Sequence, residues 1–316
     1  MSKVRGVRLT RFKYYLLLHL IVIAYGFTGI LGKLIALDFY RLVFFRMLIA
    51  GLSLGAFLLL RKKKFRIRGR RALLKTIAVG LVVVLHWLTF FKAIQVSTAS
   101  LGVLCLATAA LHVSWLEPLL MKRRFSWQEF GLGVLVIMGV IAVSGNMGGN
   151  ATEGLFWGLI SAFLSALFAV LNAKLNKKDK IPAASLTIYE MLTGALFLFV
   201  LLFFQGRVNA EFFTMRLVDF SWLLFLGIVC TSVAFLLMID VINKIGAYTA
   251  TLTVNLEPVY SIILAVFMLS ENEFLGPRFY LGAFFIVLIV FANPVLNYWQ
   301  RKRKMHRITR TRQSPF

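Results

Sequence analysis

The chain has 316 residues, of which 60% are hydrophobic and only 15% are charged, and its mean hydropathy is +0.83. Average soluble domains contain ~45–50% apolar residues, so this composition excludes a soluble enzyme and a disordered chain. The net charge of +24 does not indicate nucleic-acid binding, because the basic residues stand in blocks between apolar runs, without interleaved aromatic residues.

Ten apolar runs are long enough to cross a bilayer, whose hydrocarbon core of ~30 Å requires about 20 helical residues. In chain order, spans one to ten are predicted at 14–32, 39–60, 72–93, 99–121, 128–144, 154–173, 183–204, 220–242, 247–269 and 276–298. The first run is too long for a signal peptide and lacks a small-residue cleavage pattern, so we interpret it as a retained span. The sequence therefore predicts an all-α integral membrane protein with ten transmembrane helices.

Basic residues are concentrated on one of the two faces between which the connectors alternate. That face carries 29 of the 36 Lys and Arg residues, including those of the tails 1–13 and 299–316, whereas the other face carries five. The positive-inside rule places the basic face and both termini in the cytoplasm. We expect a multi-pass protein of the cytoplasmic (inner) membrane whose basic connectors contact anionic lipid headgroups.

The two halves of the chain share weak similarity. The segment around Arg46 in span two aligns with the segment around Glu190 in span seven, and 125–133 aligns with 274–282. Because each half has an odd number of spans, the halves enter the membrane from opposite faces, as in transporters with inverted repeats. The predicted domains are two inverted five-helix repeats, at 14–144 and 154–298.

Glu257 is the strongest acidic candidate for a functional site, because it lies near the middle of span nine. An ionised group at mid-bilayer costs at least ~2.5–3.5 kcal/mol, so it normally faces a cavity or a partner. Asn255 lies beside it, and Pro258 frees a helical carbonyl near residue 254. This combination suits a polar ligand or a coupled proton; a buried carboxyl bonded to a neighbouring helix is the alternative.

Three further residues are candidate substrate contacts. His86 lies in the middle of span three and His112 in the middle of span four, and either can bind a substrate or carry a proton. Tyr25 of span one is able to line the same cavity. The alternative interpretation of each histidine is a buried side chain whose hydrogen bonds are made within the protein core. The alternative for Tyr25 is aromatic packing.

Arg46 and Glu190 are charges buried within spans two and seven. At ~1.5 Å per residue, Arg46 lies roughly 10 Å from the outer face and Glu190 a similar distance from the cytoplasmic face. Their heights argue against a direct ion pair. We interpret both as structural charges that support folding, with an ion pair or a substrate contact as the alternative.

Several short motifs follow one another along the chain: the small-residue segment 25–33 that closes on Lys33, Phe45-Arg46-Met47, Leu85-His86-Trp87-Leu88, Leu256-Glu257-Pro258-Val259 and Ser270-Glu271. In this order they resemble the EamA family of the drug/metabolite transporter superfamily. The resemblance implies two inverted five-helix repeats around a cavity lined mainly by spans one, three, four, six, eight and nine, with spans two and seven more peripheral. It also implies transport of amino acids, other metabolites or drugs, often outward.

This chain departs from the family pattern in three places. Tyr25-Gly26 replaces a Trp in span one, Ala109-Ala110 stands where a Pro is common in span four, and Lys122-Arg123-Arg124 replaces an acidic residue after that span. These departures concern the substrate rather than the architecture.

The sequence predicts a secondary transporter, most simply an exporter, of a small polar organic metabolite such as an amino acid. No HExxH, Walker A or GxSxG motif is present, so we predict no enzyme activity, no cofactor and no metal site. The competing interpretations are an integral-membrane enzyme or lipid-handling protein, and a non-transporting scaffold. A transporter should contain a closed-ended central cavity touching Glu257 and His86, whereas a scaffold should pack that region dry. The sequence leaves a homodimer open.

Overall fold

The computed structural model describes residues 2–144, 150–273 and 275–292. Its helices, in chain order, are α1 Ser2–Leu34, α2 Phe39–Leu60, α3 Arg70–Val96, α4 Ala99–Leu106, α5 Ala109–Met121, α6 Trp127–Ser144, α7 Ala151–Lys178, α8 Ala183–Phe204, α9 Ala210–Phe213, α10 Leu217–Leu224, a π-helical segment Phe225–Val233, α11 Ala234–Ile245, α12 Ala247–Val254, α13 Glu257–Leu269, a 3-10 turn Glu271–Glu273 and α14 Pro277–Ala292. The predicted end of span ten, 293–298, Met1 and the tail 299–316 lie outside the described residues.

Ten spans account for these helices, which confirms the predicted all-α membrane architecture. Within the described ranges, eight helical stretches are long and apolar enough to cross a bilayer unaided, with α4 and α5 together forming one of them. The pair α12 and α13 forms the ninth span, and α14 begins the tenth. Large apolar side chains on the outer surface, such as Leu60, Phe204 and Phe267, are exposed, as expected of helices that face lipid.

Several helices extend beyond their apolar runs into basic segments. The helix α3 begins at Arg70 and α7 ends at Lys178, so each is longer than the predicted span. Lys and Arg favour helices, and their long side chains reach the aqueous interface from a helix end. By contrast, α2 and α8 have the predicted bounds because turn-forming or polar residues flank both of their apolar runs.

The contacts between the halves are reciprocal. The helix α1 packs against α13, and α7, its counterpart in the second half, packs against α4 and α5. In the same way α3 packs against α7, and the counterpart of α3, the π segment with α11, packs against α1. The helices α2 and α8, which correspond to one another, are also in contact. This pattern is that of two repeats related by a pseudo-two-fold axis, and five spans in each half make the repeats inverted.

Span nine is interrupted near its middle. The chain leaves the helix at Asn255 and Leu256, and Pro258 is the second residue of α13. A proline is tolerated there because the first turn of a helix leaves its N–H groups without intrahelical acceptors. The expected disruption near Pro258 is therefore present.

Span four is interrupted at the corresponding place, at Ala107 and Thr108, although the sequence predicts one continuous span. The amide and the hydroxyl of Thr108 both donate to the Cys105 carbonyl, at 3.0 and 2.7 Å. A buried threonine hydroxyl thus takes the carbonyl that would otherwise continue the α-helical ladder. No proline marks this break.

Span eight widens into a π-helical segment between α10 and α11. The hydroxyl of Thr231 donates to the Leu226 carbonyl at 2.8 Å, and that of Ser232 donates to the Gly227 carbonyl at 3.2 Å, each five residues earlier in the chain. Ser232 also donates to the carbonyl of Ala50 in α2 at 3.0 Å. Such segments often occur at functional sites, because they redirect the side chains of one turn.

Gly133 allows α6 to lie directly against α5. A Cβ atom at this position would come within 2.5 Å of the Leu111 Cα atom, whereas a Cβ at Gly131 would meet nothing within 4 Å. We expect Gly133→Ala to lower the free energy of unfolding by about 1–3 kcal/mol, since the two helices must separate. Gly131→Ala should be neutral or slightly stabilising, because alanine favours helices more than glycine does. Thermal unfolding of the two variants in detergent checks this difference, and equal melting temperatures would contradict it.

Candidate functional site

A cavity of about 340 Å³ lies between the two halves, and we call it the central cavity. Both repeats contribute to its wall, through α1–α4 of the first and through α7, α8, span eight and α13 of the second. The lining residues that carry polar side-chain atoms are Tyr25, Thr28, Arg46, His86, Trp87, Ser165, Asn172, Thr187, Glu190, Cys230, Thr231 and Glu257. The expectation that one cavity touches both Glu257 and His86 is therefore met.

A second cavity, of about 400 Å³, lies along the two broken helices, and we call it the break cavity. Ala107 and Asn255, which stand at the two breaks, both line it, and it reaches Arg123 and Glu129 at the face of the basic connectors. Leu106 and Glu257 belong to the walls of both cavities. Leu106 directly precedes the break in span four and Glu257 directly follows the break in span nine, so the two cavities meet beside the two breaks.

Glu257 occupies the junction of the two cavities, at the start of α13. Its position depends on a close approach of α1, because a Cβ atom at Gly26 would come within 3.1 Å of the Ser261 backbone nitrogen and 3.3 Å of the Glu257 carbonyl oxygen. The adjacent residue, Tyr25, lines the central cavity. The Tyr25-Gly26 pair thus brings a phenol towards Glu257 and keeps the helices in contact.

His86 is buried, with 3% of its surface exposed, and is held by the second repeat. Its Nδ1 lies 3.0 Å from both the hydroxyl and the carbonyl oxygen of Ser161 in α7. The ring also contacts Trp87 and Phe168, at centroid distances of 4.7 and 5.3 Å. The bond fixes the imidazole orientation and leaves Nε2 as the nitrogen available for a ligand.

Arg46 projects from α2 into the wall of the central cavity, with only 2% of its surface exposed. Its Cζ atom lies 3.4 Å from the centroid of the Trp87 ring and 5.5 Å from that of Phe91. Among the described residues, its Nε and Nη1 atoms have no hydrogen-bond partner. The ring faces stabilise the cation, but they leave the in-plane N–H groups unsatisfied.

Glu190 of α8 lines the same cavity and is 3% exposed. Asn172 of α7 donates to its Oε2 at 3.1 Å, while its Oε1 has no partner among the residues that the structure describes. None of the ion pairs among the described residues includes Arg46 or Glu190. Although the resemblance implies that spans two and seven are peripheral, each contributes a buried charge to the cavity wall.

Asn255 and His112 lie apart from the central cavity. Asn255 lines the break cavity. His112 lines neither of the two cavities, and its ring makes edge contacts with Phe163 and Trp115 at centroid distances of 5.4 and 6.4 Å. The structure therefore brings Tyr25, His86 and Glu257 together, while His112 stands at the α5–α7 contact.

Glu271 joins the two repeats at the face opposite the basic connectors. Its carboxylate accepts hydrogen bonds from the amides of Ala99 and Ser100, at 2.7 and 3.1 Å, where α4 begins. A carboxylate at a helix N-terminus satisfies free N–H groups and interacts favourably with the helix dipole. Nearby, the Lys33 ammonium donates to the carbonyls of Gln95 and Ser97, at 3.2 and 2.6 Å. These bonds connect the ends of α1, α3, α4 and span nine at this face.

Six polar cavity residues were not predicted from the sequence: Thr28, Ser165, Asn172, Thr187, Cys230 and Thr231. Asn172 lies in the polar last part of span six and reads as an interfacial residue. The π-helical segment directs Cys230 and Thr231 towards the central cavity. No sequence pattern predicts this segment.

Comparison with known proteins agrees with this architecture. A model of the EamA-like transporter family matches residues 12–145 and 152–293. The chain is 23% identical over 289 residues to an uncharacterized transporter, YxxF, of Bacillus subtilis, with 90% of this chain and 88% of that protein covered. It is 26% identical over 269 residues to an uncharacterized transporter of Archaeoglobus fulgidus, with 82% and 90% covered.

A solved crystal structure has the same fold, with a TM-score of 0.61 at 15% identity over 90% of this chain and 98% of the other. At this identity the likeness shows the fold alone. The family model, in contrast, matches both halves of the chain in order, and the two relatives are named as transporters. This chain belongs to the EamA-like transporter family and is a multi-pass membrane transporter.

Proposed function

We propose that the protein is a secondary transporter that exports a small polar organic metabolite, such as an amino acid, by alternating access. The moving parts are the two inverted repeats, 14–144 and 154–298, which rock about the site between them. With no nucleotide-binding motif in the chain, active transport uses an ion gradient, an exchanged solute or a separate motor subunit.

One observation carries this proposal: the central cavity is built by both repeats and meets both broken helices at Leu106 and Glu257. In transporters with inverted repeats, broken helices expose backbone dipoles to a solute near the middle of the bilayer. Each charge buried in the membrane costs free energy. A non-transporting scaffold would gain nothing that offsets this cost, so buried charges around a cavity favour a transporter.

Glu257, His86 and Tyr25 are the proposed solute contacts in the central cavity. Asn255 meets the solute on its way through the break cavity, and His112 supports the same path from the α5–α7 contact. Glu257 is the candidate for carrying a coupled proton, because it alone of these groups faces both cavities. Arg46 and Glu190 have a structural part in this scheme.

The contacts around Glu271 suit a conformation open towards the cytoplasm. They hold helix ends of the two repeats together at one face, whereas the break cavity runs to the opposite face, at Arg123 and Glu129. Export then requires the Glu271 bonds to break while the cytoplasmic ends of spans four and nine approach each other.

The proposed location is the cytoplasmic membrane, with both termini in the cytoplasm. The basic connector 61–68 and the tails contact anionic headgroups there. The chain works alone or as a homodimer, since each copy contains a complete cavity.

Flux measurements on purified protein in proteoliposomes test the proposal. With a panel of labelled amino acids and other polar metabolites, we expect saturable uptake or exchange of at least one class above protein-free vesicles. Protein that is folded, correctly inserted and inactive towards the whole panel would instead favour a scaffold or an enzyme.

A further inference from the structure

Five basic side chains line one cavity at the connector between α2 and α3. This cavity, which we call the connector cavity, has a volume of about 840 Å³. Its cations are Lys62, Lys63, Lys64, Arg66 and Arg68. Among the residues that the structure describes, no acidic side chain lines the connector cavity, and no ion pair includes any of the five cations. Because these like charges repel one another, an anion is attracted to the connector cavity.

The connector that carries these cations has a defined conformation. The amide of Lys63 donates to the Leu58 carbonyl at 2.9 Å, which closes the end of α2. Further along, Phe65 packs against the apolar cluster that includes Ile188 of α8, and Ile67 is buried. The basic side chains on either side of these two residues are exposed. The two apolar anchors therefore hold the cations in place around the cavity.

The second repeat contributes a phenol to the same cavity. Tyr189 of α8 lines it, about 9 Å along the helix from Ala183, where α8 begins. A tyrosine has an apolar ring and a hydroxyl that donates hydrogen bonds, and it is common at the boundary between membrane and water. The connector cavity therefore extends from exposed cations of the first repeat to a half-buried hydroxyl of the second.

An exposed apolar strip of α2 leads to the connector cavity. Leu52, Ala56 and Leu59 lie on one face of this helix, at spacings of four and three residues, and all three are exposed. Leu59 also lines the cavity. A soluble anion would leave this strip without a partner, whereas the acyl chains of a phospholipid cover it while the headgroup reaches the cations.

We propose that the connector cavity binds one membrane phospholipid whose headgroup carries two phosphate groups. The phosphates contact the five cations and the Tyr189 hydroxyl, and the acyl chains follow the strip from Leu59 towards Leu52. Five cations exceed the charge of a single phosphate, which favours a headgroup with two. This inference rests on the proposed cytoplasmic location of the connector 61–68, and it adds one defined site to the general attraction between basic residues and anionic lipid. The bound lipid bridges the two repeats.

Thermal-shift titration of the full chain in detergent tests the chemistry of the occupant. The probes are diphosphatidylglycerol, phosphatidylglycerol and phosphatidylcholine in mixed micelles, and inorganic pyrophosphate without lipid. At equal phosphate concentration, we expect diphosphatidylglycerol to bind about tenfold or more tightly than phosphatidylglycerol, because more of the cations are neutralised. Phosphatidylcholine has no net charge and pyrophosphate has no acyl chains, so both should bind more weakly than diphosphatidylglycerol.

Two quadruple variants separate a defined site from general electrostatic attraction. The first variant carries Lys63→Gln, Lys64→Gln, Arg66→Gln and Arg68→Gln. The matched control carries Lys122→Gln, Arg124→Gln, Lys177→Gln and Lys178→Gln, at exposed positions in two other basic segments. Both proteins lose four positive charges, so a change in net charge affects them alike. We expect about a tenfold or greater loss of diphosphatidylglycerol binding in the first variant and wild-type binding in the control.

Tyr189→Phe tests the second repeat's part in the site without changing any charge. The substitution keeps the aromatic ring and removes only the hydroxyl, so the fold should be preserved. We expect diphosphatidylglycerol to bind several-fold more weakly, since hydrogen bonds to charged groups are the strong ones, and phosphatidylcholine to bind as it does to wild-type protein. A diffuse basic surface would not respond to this substitution.

Four results would overturn the inference: equal binding of diphosphatidylglycerol and phosphatidylglycerol, pyrophosphate binding as tight as that of the lipid, equal losses in the two quadruple variants, or a Tyr189→Phe protein that binds like wild-type protein. Flux measurements separate this outcome from the proposed function. If the lipid binds as expected but proteoliposomes carry no solute, only the proposed function fails. If a solute is carried but no lipid is preferred, only this inference fails.

Discussion

Glu257→Gln is expected to reduce solute flux by at least about tenfold while leaving expression and melting temperature close to those of the wild-type protein. The carboxyl lies where the central and break cavities meet, so a solute that crosses the protein has to pass it. Glutamine has the same shape but can neither ionise nor release a proton, and a lost charged contact costs about 1.5–3 kcal/mol. Flux into proteoliposomes at matched protein content measures the effect.

The type of transport that the Glu257→Gln protein loses shows whether Glu257 carries a proton or contacts the solute. A residue that only carries a coupled proton is needed for pH-driven accumulation but not for exchange of solute across the membrane, whereas a solute contact is needed for both. Glu273→Gln is the matched control, because Glu273 is exposed at the end of the same span. Undiminished flux through well-folded Glu257→Gln protein would remove Glu257 from the site.

Glu271→Ala is expected to lower the melting temperature by several degrees. The substitution leaves the amides of Ala99 and Ser100 without their acceptor, in a site where Glu271 is 4% exposed. Two hydrogen bonds to a carboxylate at a helix N-terminus stabilise the fold by about 2–4 kcal/mol in total. For a chain of this size, 1 kcal/mol corresponds to ~2–4 °C or less.

Glu271→Gln provides the graded comparison, since its amide oxygen still accepts one hydrogen bond but carries no charge. We expect its melting temperature to lie between those of the wild-type and Glu271→Ala proteins. Glu273 lies two residues away and is exposed, so the Glu273→Ala protein should have the same melting temperature as the wild-type protein. Identical melting curves for Glu271→Ala and Glu273→Ala would show that the capping contact does not stabilise the fold.

The membrane spans were predictable because lipid imposes one dominant constraint on the chain. Each span must be apolar over about 20 residues, and the blocks of Lys and Arg between the spans are visible in the sequence. The helices α2 and α8 accordingly have the predicted bounds. Pro258 likewise revealed the break in span nine, since a proline removes a helical hydrogen bond wherever it stands.

The orientation of each helix about its own axis was not predictable in the same way. A membrane helix is apolar both towards lipid and towards its neighbours, so hydrophobic periodicity does not identify the inner face. Depth in the membrane alone therefore indicates that Arg46 and Glu190 are structural charges. Only the packing of α2 against α8 shows that both residues line the central cavity.

Two backbone irregularities also escaped prediction. The break in span four depends on a hydroxyl of Thr108 that competes for the Cys105 carbonyl, and threonine occurs in many unbroken helices. The π-helical segment of span eight depends on Ser232, which is bonded to Ala50 in another helix. A contact between distant segments of the chain has no counterpart in a local sequence pattern.

Cysteine labelling of the two chain ends in intact cells tests the inverted-repeat architecture most directly. Single cysteines at Ser2, Gln205 and Ser314 are compared in a background without Cys105 and Cys230, which are both buried. A membrane-impermeant maleimide should label Gln205→Cys from outside, and should label Ser2→Cys and Ser314→Cys only after the membrane is opened. Labelling of the two end positions from opposite faces would contradict an even number of spans, and with it two inverted halves around a shared cavity.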